Sequence, residues 1–351
     1  MSDPAAIAIA GRAIGPQHPP YVIAEMSGNH NGDIGRALAL IEAAKAAGAD
    51  AVKLQTYTAD TLTLDHDGPG FTIEGGLWHG RRLYELYQDA HTPWDWHPRL
   101  FEHAKALGIT VFSSPFDPTA VTFLQGLGAP AYKVASFEIV DTPLIGAMAQ
   151  TGKPLIISTG LASPLDITEA VAAARAAGGR EIVLLHCTSG YPTPPSQMHL
   201  RTMPDLGLAH GTLVGLSDHS MGTAVSVAAV ALGACVIEKH FTLARADGGP
   251  DAAFSLEPDE LARLVSDCRD AWAALGSVLY EEVEAEASAR EHRRSLYVTA
   301  DVAKGEPLTP HNVRSIRPGL GLRPKHLPAV LGRVAARDLK RGEPLGWDLL
   351  D

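Results

Sequence analysis

The stretch LVGLSDHSMGTAVSVAAVALGACVIEKHF (Leu213–Phe241) reads as one strand–helix–strand unit. LVGLSD and CVIEKHF are short apolar runs of the length of buried strands. Between them, Met221–Ile237 is uncharged but rich in small residues and broken by Gly222 and Gly233. That composition fits a buried helix running into a strand and not a membrane span. Six earlier runs repeat the strand pattern: YVIAEM, AVKLQT, TVFSSPF, AYKVAS, PLIIST and EIVLLHC, starting near Tyr21, Ala51, Thr110, Ala131, Pro154 and Glu181. Ala-rich amphipathic stretches such as DIGRALALIEAAKAAG (Asp33–Gly48) separate most of them. Eight strands alternating with helices predict an α/β fold, the (β/α)8 TIM barrel, with its active site at the C-terminal strand ends.

The chain has 351 residues, more than one barrel usually needs. We expect a barrel domain over 1–280, a polar linker over 281–294 (EEVEAEASAREHRR) and a small β-rich domain over 295–351. KGEPL at Lys304 and RGEPL at Arg341 form a weak echo within that last part. Ala5–Ile14 reads as a hairpin plugging the barrel floor, and the last barrel helix is expected to be capped near Ser255. A net charge of −11 excludes general nucleic-acid binding, though not an anionic substrate. Three scattered cysteines and the lack of a basic leader before an apolar stretch predict a cytoplasmic protein with free thiols and no membrane partner.

The predicted strand ends carry Glu25, Lys53, Gln55, Ser113, Ser114, Lys133, Ser136, Glu138, Ser158, Ser217, His219, Glu238 and His240. His219 and His240 end adjacent staves, where two neutral imidazoles can hold a divalent metal with positions left open for water and substrate. Lys53 and Lys133 admit three readings: ion pairs to Glu25 or Glu138, binding of an anionic group with Ser136, Ser158 and Ser217, or a Schiff base. A metal argues against the Schiff base. Glu25 and Glu138 are candidate proton handlers. For Asp251, in DGGPDAAFS, the residues alone favour a turn aspartate over a substrate role.

Together, IAEMSGNHNGD (Ile23–Asp33), FSSPFD (Phe112–Asp117), AYKVASFEI (Ala131–Ile139), KPLIISTG (Lys153–Gly160), LLHCTSGYPTP (Leu184–Pro194), GLSDHS (Gly215–Ser220), EKHFT (Glu238–Thr242) and GGPD (Gly248–Asp251) resemble the sialic acid synthase family. SIRPGLG (Ser315–Gly321) is similar to that family's antifreeze-like (SAF) C-terminal domain. Within the family, SFEI, CVIEKHFTLARAD and the insert Gly76–Trp96 resemble the branch that makes pseudaminic acid. Ser189 stands where the neuraminate branch places Asn.

The resemblance implies condensation of phosphoenolpyruvate with the open-chain aldehyde of an N-acetylated amino sugar, releasing phosphate. It implies that His219 and His240 hold a divalent ion (Mn2+, Mg2+ or Co2+) that polarises the aldehyde. Lys53, Lys133, Ser136, Ser158 and Ser217 would bind phosphoenolpyruvate, with Ser113 and Ser189 further substrate contacts. Glu25 and Asp251 would hold sugar hydroxyls, with Gln55 and Tyr191 nearby, and Glu138 would steer water. A domain-swapped homodimer would bring Arg317 to the sugar's N-acetyl oxygen in trans. Leu77, Trp78, Tyr84, Tyr87, Trp94 and Trp96 of the insert are expected to form an apolar wall.

Other readings remain. Neuraminate or legionaminate synthesis is the same chemistry on another sugar. A barrel metallohydrolase would want more protein ligands. An ice- or sugar-binding protein would not need Lys53 and Lys133 at strand ends.

Overall fold

In the computed structural model, which describes residues 5–351, the eight apolar runs become eight parallel strands closed into a barrel. In chain order, β1 (Ile7–Ile9) and β2 (Arg12–Ile14) precede β3 (Tyr21–Glu25), β4 (Ala51–Thr56), β5 (Thr110–Pro115), β6 (Tyr132–Val134), β7 (Leu155–Ser158), β8 (Ile182–Cys187), β9 (Leu213–Asp218) and β10 (Val236–His240). β3 to β10 pair in sequence order, and β10 closes on β3 with His240 opposite Glu25. Helices follow the strands where the sequence is Ala-rich and capped. Asp33 accepts from the Gly35 amide at 2.7 Å to start Ile34–Ala46, and Ser163 and Asp166 cap one another's backbone at Pro164–Ala176. The last barrel helix, Pro258–Leu275, begins at Glu257, two residues beyond the expected Ser255. Ser255 is occupied otherwise, donating to the Asp251 carbonyl at 2.7 Å and accepting from Asn29 at 2.9 Å.

Strand alternation divides the barrel wall. Val22, Ala24, Val52, Leu54, Val111 and Tyr132 join the core beneath the helices. Tyr21, Ile23, Ala51, Phe112, Ala131, Ile156, Val183, Leu185, Leu213 and Val236 form a second, interior cluster with Ile7, Ile9 and Ile14. β1 and β2 therefore do plug the floor, as antiparallel strands turning through Ala10 and Gly11 at positive φ, which Gly11 adopts at no steric cost. Further along seven of the eight strands, the same interior face carries Glu25, Lys53, Lys133, Ser158, Cys187, Ser217 and Glu238.

The barrel unit ends at Gly276, and Ser277–Asp351 forms a second unit. Exposed 3-10 turns over Glu284–His292 lead to β11 (Ser295–Val298), antiparallel to β12 (Val313–Ile316). The echo in the sequence is a structural repeat. Gly305 and Gly342 turn at φ 80° and 90°, and the Ala303 and Lys340 amides donate to Glu306 and Glu343 three residues on. Leu308 and Leu345 enter this unit's core, and Val302 bridges Leu339 between the two copies. Among the described residues no helix is long and apolar enough to cross a membrane, and all three cysteines are buried and unpaired.

Candidate active site

A cavity of about 420 Å³ opens at the C-terminal end of the barrel. Glu25, Lys53, Gln55, Lys133, Ser136, Glu138, Ser158, Tyr191, Ser217, His219, His240 and Asp251 all line it.

Its deepest part is a charge network. Lys53 Nζ lies 3.1 Å from Glu25 and 3.0 Å from Glu238, and Lys133 Nζ lies 3.7 Å from the same Glu238 oxygen. Lys133 also donates to Ser158 Oγ at 2.7 Å. Gln55 donates to Glu25 at 2.9 Å and to Ser27 Oγ at 3.0 Å. Burial raises Glu25 to about 7 and pulls Lys133 down to about 8. Burial opposes ionisation of Glu238, but Lys133 and Lys53 hold it below the usual carboxylate range. Two lysines thus share one firmly ionised carboxylate, with a second that readily takes a proton. The balance favours an incoming anion. Glu238 Oε2 is buried without a hydrogen-bond partner.

Beside this network stand the two imidazoles, ring centroids 5.4 Å apart. His219 Nδ1 is 3.0 Å from the Thr188 carbonyl, which fixes the proton there and leaves Nε2 as the lone-pair nitrogen. His240 Nδ1 is buried without a hydrogen-bond partner, 4.0 Å from Asp251. Burial, with His219 and the nearby lysines, holds His240 well below its ordinary pKa and so neutral. Burial opposes the charge on His219, but Cys187 and the Thr188 carbonyl hold it above the ordinary histidine range, so a cation would have to displace its second proton. With that proton gone, Nε2 of His219 and the orphaned nitrogen of His240 fit a divalent cation whose other positions belong to water and substrate. No group of three or more His, Cys, Asp or Glu suited to a metal occurs among the described residues.

Glu138 sits at the rim, raised to about 7 by desolvation, with Oε2 buried and unpartnered. Asp251 is buried against the cavity and is not a solvent-facing turn residue; burial raises its carboxyl too. Ser189 is not among the cavity-lining residues; its hydroxyl and that of Ser136 both crowd Gly160, where a Cβ would collide with them.

The structure departs from the sequence-based expectation at Ser113 and in the insert. Ser113 turns out of the barrel, its hydroxyl 2.6 Å from Thr56 Oγ1, because Phe112 points inward and sides alternate. Ser114 takes the interior side, its hydroxyl buried and unpartnered. Of the six insert residues, only Trp78 and Tyr87 line the cavity. Leu77 is exposed, Tyr84 donates to Asp60, Trp94 stacks on Phe123 at 4.8 Å and Trp96 packs edge-on to His30. The apolar wall is completed by residues not singled out: Ile73, Leu83, Leu86 and Phe116. Glu238, named above at its strand end, belongs to the mouth, and so do Ser27 and Cys187; the alternation within IVLLHC was the signal for Cys187. Arg317 lies exposed in the second unit, just after β12.

The NeuB family model matches residues 40–280, and a SAF domain matches residues 293–351. The chain is 45% identical over 325 residues to pseudaminic acid synthase of Campylobacter jejuni, covering 93% of this chain and 95% of that protein. It is 42% identical over 334 residues to pseudaminic acid synthase of Helicobacter pylori, covering 94% and 97%. A crystal structure of N-acetylneuraminic acid (sialic acid) synthetase from Leptospira borgpetersenii, with citrate, superposes with a TM-score of 0.73 at 32% identity, over 83% of this chain and 96% of that one. With that extent of agreement through barrel and C-terminal unit alike, the chain belongs to the NeuB family.

Proposed function

We propose that this protein condenses phosphoenolpyruvate with a 2,4-diacetamido-2,4,6-trideoxy-altrose to give pseudaminic acid and phosphate. The observation that carries this reading is the buried lysine pair sharing Glu238 at the base of a cavity that also holds two adjacent imidazoles.

Lys53 and Lys133, with Ser136, Ser158 and Ser217, bind the phosphate and carboxylate of phosphoenolpyruvate as charge-assisted contacts in a dry site. Neither lysine forms an imine, since both are engaged with carboxylates. His219 and His240 would hold a divalent ion, which supplies Lewis-acid polarisation of the sugar's aldehyde oxygen. Glu25, Gln55, Tyr191 and Asp251 orient the open-chain sugar. Carbon three of phosphoenolpyruvate bonds to the aldehyde carbon, whose oxygen takes a proton and becomes a hydroxyl. Carbon two becomes an oxocarbenium centre, and water adds there. Glu138, poised near neutrality, takes the water's proton. The resulting tetrahedral centre collapses to the ketone, breaking the carbon–oxygen bond and expelling phosphate.

The apolar wall of Ile73, Trp78, Leu83, Tyr87 and Phe116 supports a 6-deoxy acceptor, since a methyl is at home where a hydroxymethyl would lose hydration. The test is phosphate release from phosphoenolpyruvate with Mn2+ and a panel of amino sugars. Release with the altro sugar is expected. Release only with N-acetylmannosamine would move the protein to neuraminate synthesis, and none with any sugar would refute the reaction class.

We further propose a homodimer in which the C-terminal unit of one chain serves the barrel of its partner, with Arg317 on the sugar's N-acetyl oxygen. Mixing Arg317→Ala and Lys53→Ala chains should restore part of the activity through hybrid dimers; verified hybrids without activity would refute the exchange.

A further inference from the structure

His219 and His240 each have a sequence neighbour, Asp218 and Lys239, that faces the other way. These two residues pair directly in the β9–β10 register and are each 1% exposed on the outer wall of the barrel. Lys239 Nζ donates to Asp218 Oδ2 at 2.8 Å and to the Ser220 carbonyl at 2.5 Å. Asp218 Oδ2 also accepts from Ser226 Oγ, on the following helix, at 2.6 Å. Asp218 Oδ1 accepts from the Ser220 amide at 2.8 Å and its hydroxyl at 2.7 Å. Both residues flanking His219 and the residue before His240 are thereby tied into one buried cluster. On the cavity side there is less: His219 Nδ1 meets the Thr188 carbonyl at 3.0 Å and Cys187 Sγ at 3.8 Å, and His240 Nδ1 has no hydrogen bond.

We infer that Asp218 and Lys239 are positioning residues that set the separation of His219 and His240 from behind the strands, so that both rings converge on one cation. The inference rests on reading the imidazoles as metal ligands. A buried ion pair adds little net stability, because desolvation offsets attraction, and fixing register is its best-attested use. Neither residue touches the cavity, so the effect must pass through the backbone to the rings. Partners that orient metal ligands in this indirect way change affinity for the ion rather than for the other substrate.

The test is Mn2+ binding to the full chain without substrate, followed by the paramagnetic resonance of free Mn2+, beside phosphoenolpyruvate binding by calorimetry without metal. Asp218→Asn combined with Lys239→Met removes both charges at nearly constant volume. We expect Mn2+ affinity to fall roughly tenfold or more and phosphoenolpyruvate affinity to stay unchanged. Ser226→Ala, which deletes one hydroxyl of the cluster, should weaken Mn2+ measurably but by less than the double variant. A folded double variant with wild-type Mn2+ affinity overturns the inference, as does an equal loss for both ligands, which would mark general disruption. If the double variant does not fold, Ser226→Ala decides, and unchanged Mn2+ affinity there overturns it. His240→Ala separates the two claims: Mn2+ binding that survives this change refutes the ligand reading itself.

Discussion

The floor and the mouth of this barrel use the same strands and the same inward face, yet they are built on opposite terms. At the floor, Tyr21, Ile23, Phe112, Ile156 and Val236 pack with the β1–β2 hairpin into a dry apolar cluster. Two residues along, Glu25, Lys53, Lys133 and Glu238 are as deeply buried and charged. Each apolar side chain buried in the floor contributes roughly 1.5–3 kcal/mol. Each ion in the mouth loses hydration worth several kcal/mol, which its partners only partly restore. The floor therefore holds the strands at the spacing that the mouth needs, and the mouth is left poised to exchange internal ion pairs for a bound anion. Stability and chemistry are segregated along every strand rather than between domains.

Lys53→Ala should break this contrast most severely. It leaves Glu25 without its cation and Glu238 with Lys133 alone. Removing one partner of a buried pair costs about 3–5 kcal/mol, and kcat/KM for phosphoenolpyruvate should drop at least ~tenfold. Urea unfolding and phosphate release measure the two losses. If activity falls while stability does not, the mouth is less dry than its burial indicates.

Phe112→Ala attacks the other side. The fully buried ring should cost about 3–5 kcal/mol on truncation. Turnover of the folded fraction should be unchanged when assayed well below the unfolding midpoint. A comparable loss in kcat/KM would show that floor packing transmits directly to the charged layer, against the division of labour described above.

Much of this division was legible in the amino-acid sequence, because buried parallel strands leave apolar runs with few competing interpretations. The eight runs, the plug and the residue types at the mouth follow from that. Side-chain direction was harder. FSSPF offers two adjacent serines, and only knowing that Phe112 enters the floor sends Ser113 out to Thr56 and Ser114 in. VIEKH hides the same choice: Glu238 and His240 share the inner face, so Lys239 must turn to Asp218. The insert between β4 and β5 was least legible. It has no period, and whether Trp78 or Trp94 reaches the cavity depends on loop path, not on strand or helix geometry.

A smaller effect, in pH, sharpens the account of the mouth. Glu138 is raised from 4.5 to about 7 by burial. Between those values the folded chain keeps a proton that the unfolded chain has released, so this group's contribution to stability declines as pH rises through that window and levels off above it. Glu138→Gln removes the dependence. The variant should gain on the wild type between pH 5 and pH 8 by at most about 3 kcal/mol, read from paired urea titrations. A constant difference across that range would mean that Glu138 is solvated and titrates as an ordinary carboxylate, and its place as the proton acceptor for water would lose its support.

The smallest expected effect concerns the sugar, and it tests whether the apolar character of the floor is reused at the cavity's outer wall. Trp78 does two things: its ring faces the cavity beside Tyr191, and its Nε1 donates to the Pro250 carbonyl at 3.0 Å, next to Asp251. If the wall reads the acceptor's methyl, the preference for the altro sugar over N-acetylmannosamine should narrow in Trp78→Ala. One such group is worth only about 1–3 kcal/mol of discrimination, so the ratio of kcat/KM values should change by roughly 10- to 100-fold. Trp78→Phe separates the two roles, because it keeps an apolar ring and deletes the donor. Retained selectivity in Trp78→Phe with lost selectivity in Trp78→Ala assigns the effect to the ring. Equal loss in both assigns it to the bond with Pro250, and the wall would then act by holding the Asp251 loop in place. Unchanged selectivity in both would remove Trp78 from sugar recognition and leave that task to the polar contacts of the second acetamido group.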